Sequence, residues 1–204
     1  MREILPGLHH WTTEHPNLGQ PVSSYYLAGS AALLDPMVPD EGMSAFGDLA
    51  RPRHVVLSCR HHDRDHAKFV EAFGCSFHVN ENGVDEYEGE DVESYAIGDE
   101  PVPGIRAIAN GPIAPDDTVL LIDVEGGAIA FADSLAHEGD GELAFMPDGL
   151  LGDDPGQVKA DIAAALRELL DRSFDHLLFA HGPPIVGGGR EALERFVRGQ
   201  EDTG

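Results

Sequence analysis

Hydrophobic and polar positions change period several times along the chain, and each change marks an element. "SSYYLAGSAALLDP" (23–36) is apolar on both sides of Gly29-Ser30 and predicts two short strands joined as a hairpin. "DEGMSAFGDLA" (40–50) predicts a short helix, and "HVVLSC" (54–59) is the continuous apolar run of a strand buried on both faces. "DHAKFVEAF" (65–73) carries Ala67, Val70 and Phe73 along one side and predicts a helix stopped by Gly74, with Asp65 at the capping position. "CSFHVN" (75–80) and "IRAIAN" (105–110) predict strands, and "DTVLLID" (117–123) and "AIAFAD" (128–133) flank the turn "VEGG" as a second hairpin. From Pro155 to Asp171 the helical period is met by Val158, Ile162, Leu166, Leu169 and Leu170, with Pro155 suited to the first turn. "HLLFA" (176–180) is a further strand and "GREALERFV" (189–197) a closing helix. No repeat or linker divides this order. It is satisfied by an α/β fold of one domain over residues 1–204: two mixed β-sheets face to face with helices on the outer faces, an αββα sandwich.

Strand ends in mixed α/β proteins are where ligands collect, because the loops there converge on one edge. Polar residues follow four of the apolar runs: Asp35 after "AALL", the cluster "RHHDRDH" (60–66) after "HVVLSC", Asp133 after "AIAFA" and His181 after "HLLFA". Each has an ordinary reading. Asp65 fits a helix cap, His66 in a first helical turn is commonly a surface residue, and Asp133 and His181 could brace loops. His62 reads as an exposed ring. Arg60 and Arg64 read as balancing the neighbouring carboxylates or as holding an anionic substrate. "HHWTTEH" (9–15) reads as a strand and loop, its His9, His10 and His15 spaced too irregularly for a metal motif, and "VGGGR" lacks phosphate-loop spacing.

In order and spacing the four segments together resemble the metallo-β-lactamase-like superfamily of metal-dependent hydrolases, along nearly the whole chain. In that family His-x-His-x-Asp-His follows a strand, and later His, Asp and His residues complete two adjacent metal sites. "HHDRDH" supplies His61, Asp63, Asp65 and His66 at those spacings. "AIAFADSL" is similar to the segment of the bridging Asp133, "LLFAHGPP" to the last motif with His181, and "YYLAGSAALLDP" to the opening hairpin with its structural Asp35. Two departures stand out. Asp63 replaces the second histidine, and "NGPIAPDD" has no mid-chain histidine, with Ile113 at that position. One site would keep only His61 and Asp63; the other would keep Asp65, His66, Asp133 and His181.

The resemblance implies a metal-dependent hydrolase using a metal-bound water on an ester, thioester, lactone, amide or phosphoester, with a small-molecule substrate. Two imidazoles and two carboxylates suit Zn²⁺, Fe²⁺ or Mn²⁺, as one ion rather than two because Ile113 cannot ligate. Asp63 or His61 would orient or deprotonate the water. The alternative is a non-catalytic divergent member, without metal, that binds a small ligand or partner in the former cleft. A carboxylate in the cluster's third position is similar to flavodiiron proteins, but no flavodoxin-like segment accompanies it.

Charge adds a second theme. Asp and Glu number 37 against 13 Lys and Arg, a net charge of −24, and only Lys68 and Lys159 are lysines. Such a surface repels nucleic acid and anionic membrane. No run of eighteen apolar residues is present, and "MREILPGLHHW" lacks a basic segment followed by an apolar stretch. Membrane insertion and secretion are therefore not expected, and cytoplasmic residence is the default. Cys59 and Cys75 both adjoin strands and read as buried thiols. The acidity points to adaptation to high salt, where screening over a few ångströms quiets the self-repulsion. The expected outcome is unfolding in dilute buffer and recovery in concentrated KCl, followed by circular dichroism; equal stability in both would remove the halophilic reading.

Overall fold

The computed structural model describes residues 1–138 and 141–201. The first sheet has seven strands in chain order: β1 (Arg2–Leu5), β2 (Leu8–His15), β3 (Gln20–Leu27), β4 (Ala32–Leu34), β5 (His54–Val56), β6 (Ser76–Asn80) and β7 (Val92–Tyr95). β1 to β4 are antiparallel, and β4 to β7 are parallel. β8 (Ile105–Asn110), β9 (Thr118–Ile122) and β10 (Ala128–Phe131) begin the second sheet, and β11 (Ala136–His137) and β12 (Leu143–Ala144) form a small ribbon. β13 (His176–Phe179) completes the second sheet beside β10, in parallel, to give the order β13-β10-β9-β8. Among the described residues the α-helices are α1 (His66–Phe73), α2 (Pro155–Leu169) and α3 (Gly189–Glu201), and short 3₁₀ segments occur in the connections between other elements. None is long and apolar enough to cross a membrane.

Alternation along the strands explains why so many runs are apolar throughout. On β3, Tyr25 enters the core between the sheets while Tyr26 enters the core under α1 with Phe46, Phe69 and Phe77. On β10, Ala128 and Ala130 face the first sheet, and Ile129 and Phe131 face α2 and α3. Each sheet is thus covered on both sides, and successive residues of period two are both buried. The αββα arrangement of mixed sheets expected from the sequence is the one observed.

Local differences have local causes. "HVVLSC" pairs as a strand only to Val56, because the Ser58 N–H leaves the ladder for the Asp35 carboxylate. The helix expected over 40–50 is a 3₁₀ segment at Gly42–Phe46. "HHWTTEH" is strand along its whole length within β2. The hydrophobic pattern does not predict β7, since "VESY" is exposed at its two central positions and carries no apolar period. α2 is capped by the Asp154 side chain, which accepts from Gln157 N–H at 3.0 Å.

Tyr25 ties the sheets together at the edge that matters below. Its hydroxyl, fully buried, donates to Phe179 O at 2.8 Å and accepts from Phe179 N–H at 3.0 Å, satisfying both peptide groups on the open side of β13. Replacing Tyr25→Phe leaves both without a partner and should cost about 1–3 kcal/mol in urea unfolding. A loss below about 0.5 kcal/mol, the range of a neutral surface change, would show that this tie is dispensable.

Candidate functional site

Four chain segments leave the carboxyl ends of their strands toward one edge of the sandwich. Asp35 directly follows β4, Ser58 and a 3₁₀ turn (Arg60–His62) follow β5, Asp133 follows β10, and His181 follows β13. Asp35 sits at φ 45°, a left-handed conformation that an aspartate tolerates better than most residues. Its carboxylate accepts from Ser58 N–H at 2.8 Å and from the Ser58 hydroxyl, and its Oδ2 lies 3.1 Å from His62 Nδ1. On the other side of the ring, His62 Nε2 lies 3.2 Å from Asp133 Oδ1, which is 3.1 Å from His181 Nε2. Among the described residues, His62, Asp133 and His181 form one group whose ligand atoms all fall within 4.8 Å of one another.

His181 is held by the ribbon. His137 N–H donates to His181 O at 3.0 Å, His137 Nδ1 donates to Pro183 O at 2.6 Å, and a Cβ on Gly182 would stand 1.8 Å from His137 O. Gly182, at φ 101°, is therefore required both for its backbone conformation and for this close approach.

The electrostatics are those of a buried, compensated network. Burial alone would lower His62, but Asp35 and Asp133 on its two sides push it up to about 9. Burial alone would raise Asp133, but His62 and His181 hold it well below the usual carboxylate range. Asp35 is likewise lowered, against its burial, by His62, Arg64 and Ser58. Arg64 is turned inward, with Nη1 donating to Ser23 O at 2.8 Å and Asp35 O at 3.1 Å. Next to the network, burial raises Asp117 to about 7 despite the hydrogen bond it accepts from the Ser134 hydroxyl at 2.7 Å.

The cluster "RHHDRDH" contributes differently from its expected spacing. The 3₁₀ turn rotates successive side chains by about 120°, so the buried His62 faces Asp133 while His61 is exposed. Asp65 and His66, expected as ligands, have other partners. Asp65 accepts from Val38 N–H at 2.8 Å and from Lys68 at 2.6 Å, and its side chain makes no capping bond. His66 opens a helix that packs on the outer face of the first sheet. Its ring stacks on Phe77 at 4.1 Å, with Asp63 on Nδ1 and Glu90 2.8 Å from Nε2. Asp63 is thus spent on His66, and neither it nor His61 joins the group. Asp133 and His181, also expected, do converge.

Ile113, at the position of the missing mid-chain histidine, packs against the core under α2 and α3. The apolar contact on the segments next to His62 and Asp133 is made by Cys59, Ala114 and Ala132. The mid-chain segment comes too close for a bulkier residue: a Cβ on Gly111 would stand 1.9 Å from Ser134 Oγ.

No protein-family model and no curated protein matches the sequence. Solved structures do match in three dimensions. A metallo-beta-lactamase family protein from Thermus thermophilus superposes with a TM-score of 0.67 at 16% identity, over 98% of this chain and 81% of that one. An archaeal metallo-beta-lactamase superfamily protein from Sulfolobus tokodaii gives 0.66 at 14% identity, over 95% and 85%. Rubredoxin oxygen:oxidoreductase from Desulfovibrio gigas gives 0.68 at 14% identity, over 97% of this chain and 60% of that one. The chain has the metallo-beta-lactamase fold.

The charge network has a signature in stability. The folded value of His62, about 9, lies above the ordinary 6.5. Its contribution is therefore fully present below the unfolded value and is lost as pH rises through the folded one. In chelator-treated protein, the urea midpoint should fall between pH about 7 and about 10, and His62→Gln should remove that step. Parallel pH curves for parent and variant would mean that His62 is neutral in the fold.

Proposed function

On this metallo-beta-lactamase fold, we propose that the chain is a divergent metal-dependent hydrolase with one ion, held by His62 Nε2, Asp133 Oδ1 and His181 Nε2. The observation that carries this reading is the convergence of those three atoms within 4.8 Å, with Asp35 behind the first imidazole. Two imidazoles and one carboxylate leave coordination positions open and suit Zn²⁺ or Fe²⁺. Asp35 supplies the support such a histidine ordinarily has: by accepting at Nδ1 it fixes the tautomer whose Nε2 lone pair faces Asp133. Ser58 in turn fixes Asp35 through its N–H and its hydroxyl.

A bound ion would supply Lewis acidity, lowering the pKa of a water and polarising a carbonyl or phosphoryl oxygen. Arg64 sets positive charge beside Asp35 and Asp133, where an anionic substrate or a developing oxyanion gains from it. The water-orienting role expected of His61 or Asp63 passes to neither, since Asp63 is paired with His66 and His61 lies outside the group. Esters, thioesters, lactones, amides and phosphoesters are the substrate classes open to this chemistry, with a small-molecule substrate in the cytoplasm.

One observation favours a second reading. His62 lies between two carboxylates with Arg64 turned inward, and a proton on its ring would balance the charge there without an ion. On that reading the chain is a non-catalytic member that binds a ligand or partner in the cleft. Metal analysis of protein purified without chelator separates the two. The parent should carry about one equivalent of zinc or iron, His62→Ala and His181→Ala should lose it, and His66→Ala should keep it. A parent that neither retains nor takes up metal would leave the binding protein as the function.

A further inference from the structure

At the opposite edge of the first sheet from His62, where β5 and β6 begin, a cavity of about 500 Å³ is lined by Arg51, Arg53, His54, Phe73 and Ser76 among others. Among the described residues no carboxylate lines it. That is unusual in a chain with 37 acidic and 13 basic residues. Four other cavities, of about 360–590 Å³, each carry acid in their walls: Glu100 with Asp123, Asp123 with Glu125, Asp40 with Glu41, and Glu142.

The polar groups at this cavity rest on a built framework. The Arg53 backbone is clamped on both sides, its N–H donating to Ala31 O at 2.8 Å and its C=O accepting from Ser76 N–H at 2.9 Å. Its guanidinium, exposed, makes no hydrogen bond or ion pair with any described residue. Arg51 directs Nε and Nη2 to Phe73 O, at 3.1 and 2.7 Å, which fixes its position and leaves Nη1 free. The buried His78 anchors the remainder: its Nε2 lies 2.8 Å from Ser76 Oγ and 3.3 Å from His54 Nδ1, and Ser76 Oγ lies 2.8 Å from the same His54 nitrogen. Glu93 lies 3.7 Å from the other His78 nitrogen. With Nδ1 engaged, His54 has Nε2 left over as a donor. Burial and Arg53 lower His54 against the opposing effect of Glu93, so this donor is the N–H of a neutral ring.

We propose that this cavity binds a phosphate group, of inorganic phosphate or of a phosphate monoester, through Arg51, Arg53 and His54, with Ser76 orienting the imidazole. Both guanidiniums supply charge, Arg53 with its forked donors and Arg51 with its free Nη1, and the His54 imidazole supplies a neutral donor, its Nδ1 held by the Ser76 hydroxyl. The site is separate from the His62 group, so its occupancy does not require the metal-dependent reading.

The test is titration of the full chain with inorganic phosphate and, separately, with glycerol 2-phosphate. Chelator and one KCl concentration that preserves the circular dichroism spectrum are held throughout, and binding is followed by calorimetry and ³¹P NMR. Saturable one-to-one binding is expected for at least one probe. Arg53→Gln, at an exposed side chain, should weaken it tenfold or more, the loss typical of a charge-assisted hydrogen bond. Arg106→Gln, which removes the same charge from a different cavity, should leave it within about twofold. The tighter of the two probes identifies the source of the phosphate. Absence of saturable binding to the parent, or equal weakening by Arg53→Gln and Arg106→Gln, would overturn the proposal.

Discussion

The row Asp35–His62–Asp133 is the contact on which the working edge of this protein depends. Asp35 and His62 belong to the first sheet's loops and Asp133 to the second's, so the imidazole is a bridge between sheets as well as a candidate ligand. Charges drawn this far out of water cannot be placed side by side unless each has an opposite neighbour, and here the order acid, base, acid provides that, with Arg64 completing the balance. The neighbouring geometry follows from it. Asp35 accepts its left-handed backbone because Ser58 and His62 hold its carboxylate, and β5 ends early because Ser58 turns to meet it. A metal ion and a proton on His62 are competing solutions to the same problem.

Most of the architecture was legible in the sequence, because an apolar run between turn residues has few ways to be buried. "HLLFA", "AIAFA" and "AALL" led directly to β13, β10 and β4, and the polar residue after each run led to His181, Asp133 and Asp35. The cluster after β5 misleads in its register. Spacing alone selects His61, Asp65 and His66, whereas the inward residue is decided by where the 3₁₀ turn begins, and nothing in "RHHDRDH" marks that point. Once α1 starts at His66, that ring is committed to Phe77 and Glu90. The missing histidine of "NGPIAPDD" was visible, but the packing of Ile113 was not, since an isoleucine fits a core or a cleft wall equally well.

Acidity and function occupy different parts of the molecule. The excess of 24 negative charges is a property of the surface, while the interior keeps its acids paired or partly neutral, as with Asp133 and Asp117. Arginine takes part in both of the polar sites, turned inward as Arg64 at one edge of the first sheet and left without a carboxylate partner as Arg53 at the other. In so acidic a chain, leaving a scarce cation such as Arg53 without a carboxylate partner forgoes Coulomb energy. Arg64 lies beside Asp35 and Asp133 and donates to two backbone carbonyls, whereas at Arg53 only the backbone is held.

The contact between Gly182 and His137 makes the site mechanically geared. His137 bonds residues 181 and 183 through its N–H and its ring, and its carbonyl lies so close to residue 182 that no Cβ fits there. No side chain at 182 could act as a clutch between the ribbon and the loop. The ribbon on one side, and Ser23 of β3 on the other through Ala180 O and Gly182 O, thus fix the backbone that carries the third donor of the metal group.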